Sequence, residues 1–264
     1  MNGETIRLEN LSIGYKEGGK TTKSVAQGIE AVLHRGELTF LLGANGAGKS
    51  TLMRTMTGFL APLGGHVIIE GKYMNLFSNR ELAKRIGVVL TERPELGQMT
   101  VNELVGMGRS PYTNFMGKLS NEDAVIVRKA LELVGMSDLG ERMADTLSDG
   151  ERQKAMIAKA LSQETPIILL DEPTAFLDFP SKVEIMLLLR KLAHEERKTI
   201  FLSTHDVELA LQMADNLWLM KRGDSLKIGT PQELADTGVL DHFFRGDNFL
   251  FDAKDMRFYV RIDK

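Results

Sequence analysis

Glu37-Leu-Thr-Phe-Leu-Leu42 runs directly into Gly43-Ala-Asn-Gly-Ala-Gly48-Lys49-Ser50-Thr51. The first half reads as a buried strand. The second fits G-x-x-x-x-G-K-S and leads into a helix expected from about Lys49 to Thr57, stopped at Gly58. Strand, Gly-rich loop and helix in that order are the context this spacing demands. Gly43, Gly46 and Gly48 permit the tight turn that aims successive N–H groups at phosphate, with Ala44, Asn45 and Ala47 completing the loop. The helix N-terminus adds positive potential, Lys49 is placed to reach the β and γ phosphates of ATP, and Ser50 can ligate Mg²⁺, with Thr51 closing the motif. A Gly-rich turn beside an exposed lysine has the same composition but does not require a strand before it and a helix after it.

Outward from this loop the chain alternates strands and helices. Ile6, Leu8 and Leu11 predict an edge strand, and His66–Glu70 and Ile86–Leu90 further strands. After Glu164 come strands to Leu170, at Thr199–Ser203 and at Asn216–Met220, separated by helices Ser181–His194 and Val207–Ala214. Continuous apolar runs such as Ile167–Leu170 suit a parallel sheet covered on both faces. Between Arg93 and Glu164 the pattern is helical: Val101–Met107, Asn121–Val134 and Asp149–Ser162, the second with Ala124, Val127, Leu131 and Val134 at helical spacing and Gly135 as a stop. The expected fold is α/β, a nucleotide-binding core of residues 1–92 and 165–264 with a helical subdomain, residues 93–164, inserted. The tail alternates through Phe249, Phe251, Phe258 and Val260, which suggests a terminal hairpin turning at Asp252–Asp255.

Ile167-Ile-Leu-Leu-Asp171-Glu172-Pro173 puts two carboxylates at the carboxyl end of a buried strand, where open α/β sheets bind ligands. Asp171 is placed to hold Mg²⁺ or its waters, and Glu172 to act as general base, or to orient the water, for attack on the γ-phosphate. Alone, this stretch would read as a strand–turn boundary; beside the phosphate loop it reads as the second half of one site. Leu147-Ser148-Asp149-Gly150-Glu151-Arg152-Gln153 opens the third helix of the inserted lobe. Ser148 and Glu151 have capping-box spacing, and Gly150 lets a phosphate approach the helix start. By itself this segment is equally an ordinary capped helix.

The composition is compatible with these motifs. The chain has 264 residues, 43% of them hydrophobic, a net charge of −3 and no cysteine. It can bury a sizeable core, carries no global basic field pointing to nucleic acid, and has neither disulfides nor cysteine-ligated metals. No stretch reaches the roughly 18 apolar residues that would span a bilayer, and the N-terminus lacks the apolar region of a secretion signal. Any membrane association is therefore expected through a protein partner.

In order and spacing, the motifs together resemble the ABC ATPase family over nearly the whole chain. The family's Leu-Ser-Gly-Gly-Gln signature matches here at Leu147, Ser148 and Gly150. The resemblance implies a P-loop NTPase core with an antiparallel β subdomain and an inserted α-helical subdomain. It also implies that Tyr15 stacks on adenine, that Asp178 in Ala175-Phe-Leu-Asp178 is the D-loop aspartate, and that His205 in Ser203-Thr-His205-Asp206 contacts the γ-phosphate. In such proteins the signature of one subunit faces the phosphate loop of another. Ser148 and Gly150 would then act in trans, in a head-to-tail homodimer closing on two ATP molecules and driving permease subunits.

Two positions depart from the family pattern. Glu92 stands where a glutamine senses Mg²⁺ and the attacking water; it either retains the metal contact with an added charge or is a solvated loop residue. Asp149 and Glu151 add negative charge at the signature, where they also favour the helix macrodipole. Gln98-Met-Thr-Val-Asn-Glu-Leu-Val-Gly-Met-Gly-Arg109-Ser-Pro111-Tyr112 is similar to the segment found in importer ATPases for iron–siderophore, haem and cobalamin. Tyr112, Phe115 and Met116 then either line a groove for a permease helix or pack into the core. The expected activity is that of a Mg-ATP hydrolase of an importer, peripheral on the cytoplasmic face of the inner membrane, with a solute-binding protein upstream. The alternatives are a soluble assembly ATPase, as in iron–sulfur cluster assembly, and a weakly hydrolysing nucleotide-gated interaction module.

Overall fold

The computed structural model describes residues 3–17, 21–91, 97–113, 118–244, 249–252 and 255–260. Its first two strands, β1 (Glu4–Glu17) and β2 (Thr21–His34), pair antiparallel. After β3 (Leu38–Leu42) and helix α1 (Lys49–Met56), β4 (Gly64–Ile69) and β5 (Lys72–Tyr73) complete a sheet of order β2-β1-β4-β5. β1 is thus an interior strand and not the edge strand its sequence suggested, because β2, which lacks a clean apolar alternation, covers its other side. The pairing of β1 slips between Leu8 and Leu11, and Asn10 there adopts φ +44°. Such a bulge reverses the parity of the side chains. It lets Leu11 and Ile13 enter the same buried layer as Ile6 and Leu8.

Helix α2 (Asn79–Ala83) precedes β6 (Ile86–Val89). Next come α3 (Val101–Gly106), α4 (Asn121–Leu133) and α5 (Asp149–Ser162), which pack on one another. On α4, Ala124 is exposed and Asp123 is buried in its place. The acidic side chain is drawn in by the capping box of Ser120 and by the guanidinium of Arg109. Then come β7 (Ile167–Asp171), α6 (Phe179–His194), β8 (Thr199–Ser203), α7 (Val207–Met213), β9 (Asn216–Leu219) and β10 (Lys227–Gly229).

The second sheet has order β10-β9-β3-β8-β7-β6, parallel except for β10. Its strands send alternate residues to opposite layers, as the period of two requires. Leu41, Leu169, Phe201 and Trp218 meet α1 and the antiparallel sheet, whereas Phe40, Leu42, Leu170 and Leu202 meet the helices. Both faces are covered, which is why these strands read as continuous apolar runs. The chain closes through α8 (Pro231–Asp236), α9 (Val239–Phe243) and a separate hairpin of β11 (Phe249–Asp252) with β12 (Arg257–Val260). Phe251 and Phe258 face each other across it and pack around Phe244.

Candidate active site

β3, β7 and β8 lie side by side and end at the same edge of the sheet, so the loops that leave them converge. After β3 the chain turns through Gly46 (φ +77°) and Gly48 (φ +113°), conformations that cost an L side chain much and glycine little. Gly43 has no room for a side chain either, since a Cβ there would stand 2.3 Å from the carbonyl oxygen of Met220. α1 starts at Gly48 with no side-chain cap. Its first N–H groups are therefore unsatisfied donors facing the adjoining cleft, a ready site for phosphate oxygens.

That cleft has a volume of about 370 Å³. Asn45, Gly46, Gly48, Lys49, Ser50, Thr51 and Glu172 line it, and Tyr15 stands against Thr51, hydroxyl to hydroxyl at 3.0 Å. The Lys49 ammonium donates to the carbonyl oxygen of Gly43 at 2.8 Å and lies 3.5 Å from that of Ala44 and from His205 Nε2. Burial lowers its pKa from the usual lysine value, and the charges of Glu172 and Asp171 oppose that shift. His205 Nε2 is also 2.7 Å from Glu172 Oε1. Lys49, Glu172 and His205, far apart in sequence, thus form one contact group, of which Lys49 and Glu172 line the cleft.

Glu172 adopts φ +50°, a left-handed conformation unusual for glutamate. Its N–H donates to Ser203 Oγ at 3.0 Å, and that hydroxyl donates to Asp171 Oδ1 at 2.6 Å. Ser203, fully buried at the end of β8, therefore orients both carboxylate residues. Thr91 Oγ1 holds the carbonyl of Asp171 at 2.8 Å. Among the described residues no three carboxylates or imidazoles cluster as a metal cage. The Ser50 hydroxyl, exposed at the start of α1, and the Asp171 carboxylate instead offer the few hard oxygens that suit Mg²⁺ completed by phosphate and water. The expectation for Glu92 falls outside the described residues, as do those for Phe115 and Met116.

Ser148 and Gly150 do not line this cleft. They open α5, where Ser148 and Glu151 form the expected capping box and Gly150 lies against Ser181 of α6. Hydrogen bonds from Ser148 hold the Glu151 carboxyl below its ordinary pKa. Asp178 caps α6, accepting from the Ser181 N–H at 3.1 Å, and a hydrogen bond from Ser181 lowers its pKa. The signature and Asp178 are thus neighbours of each other, set apart from the phosphate loop. Asp206 ties α6 and α7 to the strand ends through Lys182 at 3.0 Å and Thr174 at 3.2 Å.

The sequence reading missed Lys23, Ser24, Val25 and Arg222, which complete the cleft, and Ser203 behind it. The first three lie on β2, whose pattern gave no strand signal. Arg222 had a usable signal. It comes just after the end of a strand adjoining β3, and so reaches the same edge as the phosphate loop.

The family profile described as ABC transporter matches residues 26–175. The chain is 41% identical to an uncharacterised ABC transporter ATP-binding protein of Methanocaldococcus jannaschii, over 90% of this chain and 81% of that one. It is 36% identical to the ferric enterobactin transport ATP-binding protein FepC of Escherichia coli, over 90% of this chain and 86% of that one. The fold superposes on a metal-chelate type ABC transporter in an inward-facing conformation with a TM-score of 0.76 and 27% identity, covering 90% of this chain and 89% of that one. It also superposes on a dimeric bacterial ABC transporter cassette with a TM-score of 0.71 and 27% identity, covering 86% and 98%. The chain belongs to the ABC transporter family, as an ATP-binding and ATP-hydrolysing cassette.

Proposed function

We propose that this cassette hydrolyses Mg-ATP to drive import of an iron chelate through a separate permease, working as a head-to-tail pair. The contact group of Lys49, Glu172 and His205 carries the catalytic part of the reading. Lys49 and the N–H groups of Gly46 to Ser50 bind the phosphates. Ser50 and Asp171 would hold Mg²⁺, which would supply charge neutralisation for the phosphates. Glu172 takes the proton of the attacking water, and His205 orients Glu172 and then the γ-phosphate. Tyr15 supports the base at the open end of the cleft.

Several features support a second subunit. Ser148 and Gly150 present a capped helix start away from their own cleft. Phe176 and Phe179, beside Asp178, are 73% and 68% exposed, as suits a face that another chain covers. No described helix is long and apolar enough to cross a membrane, so attachment at the inner face goes through the permease. A solute-binding protein upstream completes the importer. The iron-chelate assignment rests on the Gln98–Tyr112 segment and on FepC, a ferric enterobactin transport protein. The same similarity disfavours the assembly-machine alternative.

Glu172→Gln tests the chemistry. Removing a general base costs about 10²–10⁴-fold in rate, with the ATP-bound dimer accumulating. A variant that turned over ATP at the wild-type rate would remove Glu172 from that role. Co-purification with the permease, with identification of the bound solute, tests the cargo; an iron-free solute would refute that part.

A further inference from the structure

Within Gly108-Arg109-Ser-Pro111-Tyr112 the arginine is turned into the protein. Arg109 is only 5% exposed. Its Nε donates to Asp123 Oδ1 at the start of α4, and its Nη1 donates to Ser162 O and Glu164 Oε2 at the end of α5, each at 2.8 Å. The Tyr112 ring lies 4.0 Å from the guanidinium, and its hydroxyl donates to Gln163 O at 3.0 Å. Two carbonyls that α5 leaves unsatisfied at its C-terminus are therefore capped by this one segment. Gly108 permits the approach: a Cβ there would stand 2.1 Å from Lys159 O.

The other side of the segment is fastened to the nucleotide-binding core. Arg80 of α2 donates to Pro111 O at 2.8 Å and to Thr113 O at 3.2 Å. Gln163 donates to the carbonyl of Ala83 and, at 3.0 Å, to that of Ile86, the first residue of β6. The segment thus joins the far end of the signature helix to the strand that pairs with β7, whose end carries Asp171.

We propose that Arg109 is a positioning residue that sets the direction of α5, and so the place where Ser148 and Gly150 meet the partner's ATP. This rests on the trans reading of the signature. α5 has 14 residues. At 1.5 Å per residue it is a rod about 20 Å long, so a tilt of roughly 5° at the clamped end displaces the signature by about 2 Å. A misplacement of about 1 Å at a reacting group can cost on the order of 100-fold.

The test uses full-length chains: wild type, Arg109→Lys, the double variant Arg109→Met/Asp123→Asn, and Gly150→Glu. The double variant removes both buried charges together, so it avoids the loss of stability that one unpaired charge would bring. ATP binding to the monomer is read from the fluorescence of Trp218, the one tryptophan, which lies next to the strand holding the phosphate loop. Turnover and thermal midpoint are measured on the same samples, and ATP-driven dimerisation in a Glu172→Gln background. The double variant leaves Ser162 O without its donor and is expected to melt below wild type, yet to bind ATP like wild type while losing about tenfold or more in both turnover and dimerisation at a temperature where it is folded. Arg109→Lys keeps the charge but not the fork, and is expected to show the same losses in smaller measure. If the double variant, assayed where it is folded, dimerises and turns over like wild type, Arg109 is a structural residue only and the proposal fails. Gly150→Glu puts a carboxylate where the phosphate would come, with no neighbour nearer than 3.4 Å to the new Cβ. If that variant dimerises normally, the trans reading itself is wrong, whatever Arg109 does.

Discussion

Ser203→Ala isolates a residue that never touches ATP in the proposed mechanism. Its hydroxyl donates to Asp171 Oδ1 at 2.6 Å and accepts the Glu172 N–H at 3.0 Å, in a fully buried position. A hydrogen bond to a charged group contributes about 1.5–3 kcal/mol. If that energy holds the Asp171 carboxylate in its metal-binding orientation, its loss weakens Mg²⁺ binding by roughly 10–150-fold. Removing a group that hydrogen-bonds a metal ligand costs about 10–100-fold in general, the same range. The assay is ATPase rate against free Mg²⁺ at saturating ATP, with thermal midpoints taken alongside. The half-saturating Mg²⁺ concentration is expected to rise by about one to two orders of magnitude. The midpoint should fall by about 2–4 °C for each kcal/mol of stability lost. Ser203→Thr is the control. It keeps the hydroxyl and overpacks a fully buried site, so it should lose about 1–3 kcal/mol of stability while retaining the wild-type Mg²⁺ dependence. An unchanged Mg²⁺ requirement in Ser203→Ala would refute the orientation argument. So would a shift of equal size in Ser203→Thr.

The cleft and α4 supply further tests. Arg222→Glu reverses a charge on the lining of the cleft, outside the phosphate loop. It is expected to raise the KM for ATP severalfold with kcat held, and to leave inhibition by inorganic tripolyphosphate unchanged. Equal weakening of both ligands would put Arg222 on the phosphates. Hydrogen bonds from Ser120, and then from Arg109, hold the Asp123 carboxyl down at about 2. A depressed folded-state pKa contributes stability above the ordinary aspartate range, and that contribution is lost as pH falls towards the folded value. The difference in thermal midpoint between wild type and Asp123→Asn should therefore be constant above about pH 4.5 and shrink between about 4 and 2. A constant difference down to pH 2 would contradict the shift.

The phosphate loop was legible because its function depends on backbone conformation. Only glycine tolerates φ +113° at position 48, and the strand before and helix after are local patterns. The same holds for the capping box of Ser148 and Glu151, which spans four residues and formed as expected. The helices and the central strands were legible because burial on one or two faces leaves a periodic trace. β2 was not, since its first half, which lines the cleft, carries no apolar alternation and only Ile29, Ala31 and Leu33 mark its second. Ala124 was misplaced because helical spacing alone cannot register that Arg109, fourteen residues before Asp123, would draw that carboxylate inward.

The sequence by itself determined that this chain has a phosphate loop, an acidic strand end and a signature helix. Each is a short-range pattern in which spacing dictates local conformation. Tertiary structure alone decided what those parts touch. It brought Lys49, Glu172 and His205 into contact and set Ser203 behind two carboxylates. It also made Gly108–Tyr112, which the sequence left open between groove and core, a clamp on α5 through the buried Arg109. These pairings depend on strand order, in which β3, β8 and β7 lie side by side although their residues are widely separated in the chain. Residue spacing carries no record of which strands become neighbours, because that is chosen by the burial of the whole sheet.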